Sequence, residues 1–219
     1  MYVHDIMTTN VVTIPSSTSI ADAKRIMTAH KVERLPVVDK EKLVGIVTVR
    51  CLEQVSPSKA TSLTVWELGY LLEKTTVKEI MEKNVITTTP DTTAEEALAT
   101  AQGNKVGSLV VLEDSRVVGI VTTNDFFYKI VNPILGVAKA GALLPGIRVE
   151  IAGGGEGKAM EEIISALNRL GIKIDNLHIF MPEEATEKNI ILHLECEDES
   201  QLVTELKNKG YSTHVRKRC

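Results

Sequence analysis

Two residues that could contact one ligand, Thr122 and Asp125, lie three positions apart in the run Gly119-Ile120-Val121-Thr122-Thr123-Asn124-Asp125. The β-branched residues before it predict a strand that ends at Thr122, and Asp125 would lie in the first turn of the following helix. A carboxylate there can accept hydrogen bonds from both hydroxyls of a ribose. The Thr122 hydroxyl and the helix N-terminus both suit a phosphate group. The alternative is a plain capped helix, since Ser/Thr-x-x-Asp is also common at helix N-termini.

Two residues elsewhere in the chain complement this pair. Thr87 follows Val85 and Ile86 in a segment predicted to be extended, and it can place hydroxyl and backbone groups beside a nucleoside. Arg34 carries a planar guanidinium that suits bidentate contact with phosphate oxygens. The alternative for Arg34 is a simple surface residue.

The elements that must position these side chains occur twice. Ile6-Met7 recurs as Ile80-Met81, an offset of 74 residues. The same offset relates, without any gap, Asn10-Val11 to Asn84-Val85, Lys31-Val32 to Lys105-Val106, and Val44–Thr48 to Val118–Thr122. One register held over so many separated positions indicates a duplicated unit.

Each copy is predicted to fold as β-α-β-β-α. Its first helix begins behind a small polar residue, Ser19 or Thr93, and two β-branched runs around a polar turn follow. A single copy would leave its sheet uncovered, whereas two copies can bury their sheet faces against each other. The predicted domains are residues 1–55 and 77–132, joined by a helical linker over residues 56–76. In that linker, Trp66 is predicted to be a packing anchor rather than a ligand platform.

The repeated unit resembles the CBS domain, and the pair resembles a Bateman module, over residues 1 to about 130. The resemblance is seen in Gly119–Asp125 and in the run Arg34-Leu35-Pro36-Val37-Val38-Asp39. It implies one AMP, ADP or ATP bound in a cleft of the pair, with S-adenosylmethionine as an alternative because Asp125 would hold any ribose. The site residues that it implies are Val85, Thr87, Thr122, Asn124, Asp125, Arg34 and Pro36.

The first copy departs from this pattern. Cys51 stands where the second copy has Asp125. In the second copy, Ser108 stands at the position that corresponds to Arg34, so a site built on Thr48 would lack that arginine, although Lys105 could partly replace it. We therefore expect one competent nucleotide site per chain, built on Asp125, with the other cleft empty or differently used. Cys51 is predicted to fill space rather than to sense redox state, because no base or resolving cysteine is adjacent.

The C-terminal third begins with a predicted linker over residues 133–145. Residues 146–217 then read as βαββαβ, the ferredoxin-like order, with a Gly-rich turn between the first strand and its helix. This part resembles an ACT domain, and the resemblance implies Gly155, Glu156 and Gly157 as possible effector-binding residues. Glu156 replaces the proline that is usual there, which counts against a site for an amino-acid carboxylate. The predicted fold class is therefore α/β (α+β), with two tandem CBS units and an ACT-like domain.

Several classes of function are disfavoured by composition. The net charge of −4 and an aromatic content of 4% argue against nucleic-acid binding. There is no apolar run of about 20 residues and no signal peptide, so we expect a cytoplasmic protein without membrane contact. Three separated cysteines and five histidines without ligand spacing predict neither a disulfide framework nor a metal site. No nucleophile–base pair is visible, so neither an enzyme nor a bound cofactor is predicted.

Two hypotheses remain. The first is an allosteric sensor that binds an adenine nucleotide and relays its presence to the ACT-like domain or to an unidentified regulated protein. The CBS–CBS–ACT order resembles proteins of the acetoin-utilisation protein B type, which implies regulation of acetoin metabolism, and both kinds of domain commonly form homodimers. The second is a ligand-free assembly scaffold. A third hypothesis, a nucleic-acid or redox regulator, is disfavoured by the negative charge and the isolated cysteines.

Overall fold

The computed structural model describes residues 1–55, 65–138, 141–183 and 185–218, without the side chains of residues 65, 66, 68 and 69. The predicted role of Trp66 therefore falls outside the described part of the chain. The chain divides into two compact units, Met1–Phe126 and Phe127–Cys219.

The first unit contains short sheets flanked by helices. Its first copy comprises α1 (Val3–Ile6), α2 (Ile20–His30), β1 (Arg34–Asp39), β2 (Lys42–Thr48) and α3 (Val49–Gln54). Helix α4 (Val65–Lys74) and a 3₁₀ turn (Val77–Glu79) lead to the second copy, which comprises β3 (Thr87–Thr88), α5 (Ala94–Gly103), β4 (Ser108–Glu113), β5 (Arg116–Thr122) and α6 (Thr123–Phe126). β1 pairs with β2 antiparallel, whereas β4 pairs with β3 in parallel and with β5 antiparallel.

The duplication extends to backbone conformation. The loop of each hairpin holds two residues with positive φ, Lys40 (48°) and Glu41 (66°) in the first copy and Asp114 (48°) and Ser115 (65°) in the second. Positive φ at both central residues is characteristic of a two-residue type I′ turn, whose twist matches that of the strands. The β-bulges at Val37/Val38 and Val111/Leu112 also lie 74 residues apart. The predicted repeat is therefore confirmed at the level of turn and bulge.

The predicted helix starts are also confirmed. The Ser19 hydroxyl accepts a hydrogen bond from the backbone N–H of Asp22 at the start of α2. In α5, the Thr93 hydroxyl accepts from the N–H of Glu96, while the Glu96 carboxylate accepts from the N–H of Thr93. This capping box satisfies donors that the first helical turn leaves unpaired.

The segment that precedes α2 in the first copy and α5 in the second is here called the lead segment (residues 7–14 and 81–88). Its start pairs with the other copy, whereas its end pairs with its own copy. Thr8 exchanges two backbone hydrogen bonds with Ile120 of β5, and Glu82 exchanges two with Ile46 of β2. A Cβ at Gly119 would come within 2.5 Å of the Met7 sulfur, and one at Gly45 within 2.6 Å of the Met81 sulfur. The glycine of each Gly-Ile-Val-Thr run therefore admits the lead segment of the other copy.

The second unit is ferredoxin-like. After a π-helical turn (Phe127–Val131) and α7 (Asn132–Leu135), it comprises β6 (Gly146–Ile151), α8 (Gly157–Leu170), β7 (Lys173–Phe180), β8 (Asn189–Glu195), α9 (Ser200–Asn208) and β9 (Thr213–Arg218). The strand order is β7-β8-β6-β9, antiparallel throughout. The predicted βαββαβ order is confirmed, and its core lies between the sheet and the two long helices, with Val149, Ile163, Leu192 and Leu202 fully buried.

The other face of this sheet contains polar residues. His193 on β8 lies opposite Arg148 on β6 and Asn176 on β7 in the strand register, and its ring is 5.8 Å from that of His178. His193 is only 4% exposed, and its Nδ1 has no hydrogen-bond partner among the described residues. The pKa of His193 is lowered to about 4, first by burial and then by the charges of Arg218, His178 and Arg148.

Candidate functional site

The first cleft is a cavity of about 430 Å³ between the two copies of the first unit. The first copy supplies the ends of β1 and β2 and the start of α3, and the second copy supplies its lead segment and the connection from α5 to β4. Its lining includes Arg34, Ile46, Thr48, Arg50, Glu53, Glu82, Asn84, Val85, Lys105, Gly107 and Ser108. A cavity of this size is within the range that holds small-molecule ligands.

Three basic residues, Arg34, Arg50 and Lys105, line the first cleft. Arg34 lies 3.6 Å from the Glu33 carboxylate, and its guanidinium extends to the second copy, where a Cβ on Gly107 would come within 2.8 Å of Nη2. Lys105 holds a left-handed backbone conformation, with a φ of 55°, just beyond the end of α5. The cleft therefore combines cations from both copies.

The strand-to-helix junction at this cleft is formed by Thr48 and Cys51. The Thr48 hydroxyl accepts from the backbone N–H of Cys51 and lies 3.1 Å from its sulfur. The Cys51 thiol is buried in the core of the first copy and lies 3.8 Å from Oε1 of Glu82 on the crossing lead segment. A carboxylate is therefore present beside this junction, although the junction itself has none.

The corresponding junction in the second copy is formed by Thr122 and Asp125. The Asp125 carboxylate accepts from the backbone N–H of Thr122 at 2.8 Å and from its hydroxyl at 2.7 Å, while the Asp125 N–H donates to that hydroxyl at 3.3 Å. Thr8 on the lead segment of the first copy donates from its hydroxyl to the other carboxylate oxygen at 3.4 Å. Asp125 is therefore held in place at a boundary between the two copies.

Backbone donors at these two helix starts are already in use. The N–H of Val49 donates to the carbonyl of Glu33, and the N–H of Thr123 donates to the carbonyl of Gly107. Helix α3 has six residues and α6 has four. Short helices with bonded first donors contribute little to anion binding, so side-chain cations have to supply most of it.

The residues predicted for one nucleotide site lie in four places. Thr122, Asn124 and Asp125 lie at the end of β5 and in α6, whereas Arg34 and Val85 line the first cleft. Thr87 and Val85 also line a shallower groove with Lys42 and Lys83. The remaining residue of the set, Pro36, pairs with Ile46 within the first hairpin.

The separation of Val85 from Asp125 follows from the crossing of the lead segments. The lead segment beside Asp125 belongs to the first copy and contributes Thr8, a residue that the sequence did not single out. Thr8 and Glu82 are related by the 74-residue offset, but nothing in the sequence indicates that these segments cross. Both residues were therefore missed.

The predicted effector residues Gly155, Glu156 and Gly157 lie at the turn between β6 and α8. The N–H of Gly155 donates to the carbonyl of Lys188, and a Cβ at Gly155 would come within 2.7 Å of the Lys188 side chain. Glu156 occupies the position before α8 without a side-chain cap. These contacts account for Gly155 as a close-packed turn position and identify no ligand.

Within the described ranges, no three His, Cys, Asp or Glu side chains are grouped as a metal site would require. None of the helices in the same ranges is both long and apolar enough to cross a membrane.

Comparison with known proteins identifies the first unit. Residues 3–54 and 77–132 match the family model of the CBS domain. An inosine-5′-monophosphate dehydrogenase from Korarchaeum cryptofilum is 34% identical over 141 residues, which are 64% of this chain and 26% of that protein. A homoserine O-acetyltransferase from Methanohalobium evestigatum is 34% identical over 128 residues, 57% of this chain and 23% of that protein. The chain thus spans about a quarter of the length of these curated relatives.

Several solved structures resemble the chain, and two of them illustrate the match. A proposed acetoin utilization protein (AcuB) from Vibrio cholerae has 30% identity and a TM-score of 0.51, covering 60% of this chain and 91% of that one. The protein CBSX2, solved in complex with AMP, has 28% identity and a TM-score of 0.50, covering 60% of this chain and 97% of that one. Together with the two family matches, these similarities show that the chain belongs to the CBS-domain proteins and contains a tandem pair of CBS domains.

Proposed function

We propose that this protein is a non-catalytic regulatory sensor that binds an adenosine ligand, AMP, ADP or ATP, between its two CBS domains. The observation that carries the proposal is the Asp125 carboxylate, held by Thr122 at the end of β5 with the Thr8 hydroxyl of the other copy beside it. A carboxylate fixed in this way can accept the hydroxyl hydrogens of a ribose without further ordering. The complex of the related CBSX2 with AMP supports this class of ligand.

The position of Asp125 explains how binding would have a regulatory effect. A ligand bound here would contact both copies, because Thr8 and Asp125 come from different copies. It would favour the packing of the pair in which both contacts are made, by as much as its affinity differs between packings. Coupling free energies of this kind are typically about 1–3 kcal/mol.

The ferredoxin-like second unit is the proposed output. It would act as an ACT-like domain, alone or with a regulated partner protein, in a cytoplasmic homodimer. The similarity to the Vibrio cholerae protein supports a role in acetoin metabolism. The domain boundaries used in this proposal are residues 1–55, 77–132 and 146–217, with linkers between them.

A ligand-free scaffold is the second candidate, and one observation favours it. Asp125 and Thr122 form the same reciprocal pair of hydrogen bonds as Glu96 and Thr93, which cap α5. A cap stabilises a helix start by about 1 kcal/mol without any ligand. The two candidates therefore differ in whether the Asp125 carboxylate also binds a ligand or, like the Glu96 carboxylate, only caps a helix.

Calorimetric titration of the full chain with AMP, ADP, ATP and S-adenosylmethionine separates them. Asp125→Ala should weaken adenosine-ligand binding by about 100-fold or more, because two charge-assisted hydrogen bonds to ribose are lost. Glu96→Ala is the matched control: it removes an equivalent cap and should leave binding unchanged. Equal effects of the two substitutions on thermal stability, with no ligand bound by the parent chain, would establish the scaffold instead.

A further inference from the structure

We propose that the polar face of the ferredoxin-like sheet is a binding site for a phosphate group. This face is the one directed away from α8 and α9, and the register of the four strands places on it Arg148, Asn176, His178, His193, Arg216 and Arg218. The site lies entirely within the second unit and is independent of the adenosine ligand proposed for the first.

Three polar atoms at neighbouring positions of the polar face are buried without a hydrogen-bond partner among the described residues. They are Oδ1 of Asn176 and Nδ1 of both His178 and His193. Asn176 lies opposite His193 in the strand register, and the two imidazole rings are 5.8 Å apart. Buried polar groups in folded proteins are nearly always hydrogen-bonded, so this cluster indicates a small polar molecule or ion between these side chains.

Positive charge around the cluster selects an anion. Arg148 on β6 and Arg216 on β9 lie opposite each other, and like charges in this arrangement are unfavourable without a counter-charge. Glu150 pairs with Arg148 at 3.0 Å, whereas Arg216 makes no ion pair within the described ranges. The pKa of His193 is lowered first by burial and then by the charge of Arg218, so a cation between the histidines would meet the same repulsion.

The carboxylates of this face do not balance its arginines. Asp175 on β7 lies near Arg218, and Glu150 is already paired with Arg148. Arg218 is also in use, because its Nη2 donates to the carbonyls of Leu135 and Gly136 at the end of α7. Arg218 therefore adds its charge to the site, and the direct contacts to an anion fall to the other two arginines and the histidines.

The hydrogen-bonding requirements of the cluster favour phosphate over a carboxylate. The two histidines can each donate an Nδ1–H, and the arginines add guanidinium donors, so several acceptor oxygens are required. Oδ1 of Asn176 needs a donor instead, because the amide nitrogen of this side chain already donates to the carbonyl of Pro133. A carboxylate has two oxygens and no donor. A singly protonated phosphate group offers both more acceptor oxygens and one O–H.

The test is a titration of the full chain, labelled with ¹⁵N in its histidines, with inorganic phosphate at constant ionic strength. The NMR signals of His178 and His193 should shift saturably, whereas that of His30, exposed on α2 in the first unit, should not move. Arg216→Gln should weaken the affinity read from these shifts by about 10-fold, because a charge-assisted hydrogen bond is lost. Lys217→Gln is the matched control: it removes the same charge from the next residue of β9, on the opposite face, and should leave the affinity unchanged.

Three results would overturn the site. One is the absence of a saturable shift at the two histidines, and another is equal weakening by Arg216→Gln and Lys217→Gln, since that would indicate unspecific attraction to a basic strand. The third is acetate shifting the same signals as tightly as phosphate, which would contradict the choice of ligand. Both substituted residues are exposed, and unchanged amide spectra would show that the variants are folded.

The outcome is separate from that for the adenosine ligand. Asp125→Ala should leave the phosphate response of the two histidines intact, because Asp125 belongs to the first unit. A chain that binds no adenosine ligand and still shows this response would refute the proposed sensor and support the phosphate site. A chain that binds an adenosine ligand without this response would do the reverse.

Discussion

Replacing His193 by glutamine tests whether its burial on the polar face of the ferredoxin-like sheet makes the second unit sensitive to acid. The pKa of His193 is lowered from 6.5 to about 4 by burial and by nearby positive charge. The unfolded chain therefore binds this proton more tightly than the folded unit does. The stability that neutral His193 contributes to the folded second unit is fully present above pH 6.5 and is lost as the pH falls towards 4.

The magnitude follows from the two pKa values. Between pH 7 and pH 5 the linkage removes about 2 kcal/mol of stability from the second unit, out of about 3 kcal/mol at still lower pH. The groups that face His193 are Arg148 on β6, His178 on β7 and Arg218 on β9. His178 also has a lowered pKa, mainly through burial, and adds to the effect in the same direction.

Hydrogen exchange of peptides from β8 reports the opening free energy of this unit separately from the first one. After correction for intrinsic exchange rates, the loss of protection between pH 7 and pH 5 should be about 2 kcal/mol smaller in His193→Gln than in the parent. His214→Gln, which changes an exposed histidine on β9, is the control and should keep the slope of the parent. An unchanged slope in His193→Gln would refute the assignment of this acid sensitivity to His193.

Two further substitutions test the first unit. Gly119→Ala should destabilise the unit by about 1–3 kcal/mol, because its Cβ would lie 2.5 Å from the Met7 sulfur and 3.3 Å from the Thr8 carbonyl. Gly103→Ala is the control, because nothing lies within 4 Å of a Cβ at that position. Equal melting temperatures of the two variants would contradict the crossing of the lead segments. Cys51→Asp should lower the melting temperature at pH 7 and restore it in combination with Glu82→Gln, because it places a second carboxylate beside a buried position. Thermal denaturation followed by circular dichroism measures both effects, and no difference between the single and the double variant would show that residue 51 and Glu82 do not interact.

The sequence predicted the repeat, the caps and the element types because these depend on local patterns. The 74-residue offset was visible from identities alone, and the structure extends it to the turn at Lys40 and the corresponding turn at Asp114. Ser19 and Thr93 were recognisable as caps because a short polar side chain before an apolar helical pattern satisfies free N–H donors. The order of elements in the second unit, βαββαβ, was visible from its alternating apolar patterns, and few arrangements of these elements bury both helices on one face.

The composition of the site could not be predicted in the same way. The residue types that suit a nucleotide, Thr122, Asp125 and Arg34, were identified from their chemistry. Which of them share a cleft depends on contacts between residues far apart in the chain, and two copies with the same order of elements offer the same local pattern whether or not their lead segments cross. The contact between Glu82 and Cys51 was not visible for this reason, because the two residues lie 31 positions apart in the chain although Glu82 Oε1 is 3.8 Å from the Cys51 sulfur.

The sequence by itself determined the duplicated architecture and the ferredoxin-like order of elements in the last third. It also placed Asp125 at the start of the helix that follows the Gly-Ile-Val-Thr strand. The tertiary structure alone decided that the start of each lead segment pairs with the other copy, that Thr8 contacts Asp125, and that Arg34 lines the cleft of the first junction. The physical reason is that hydrogen bonds and close approach at Gly45 and Gly119 select between self-pairing and crossing. That choice is a property of the packed pair and not of either copy alone.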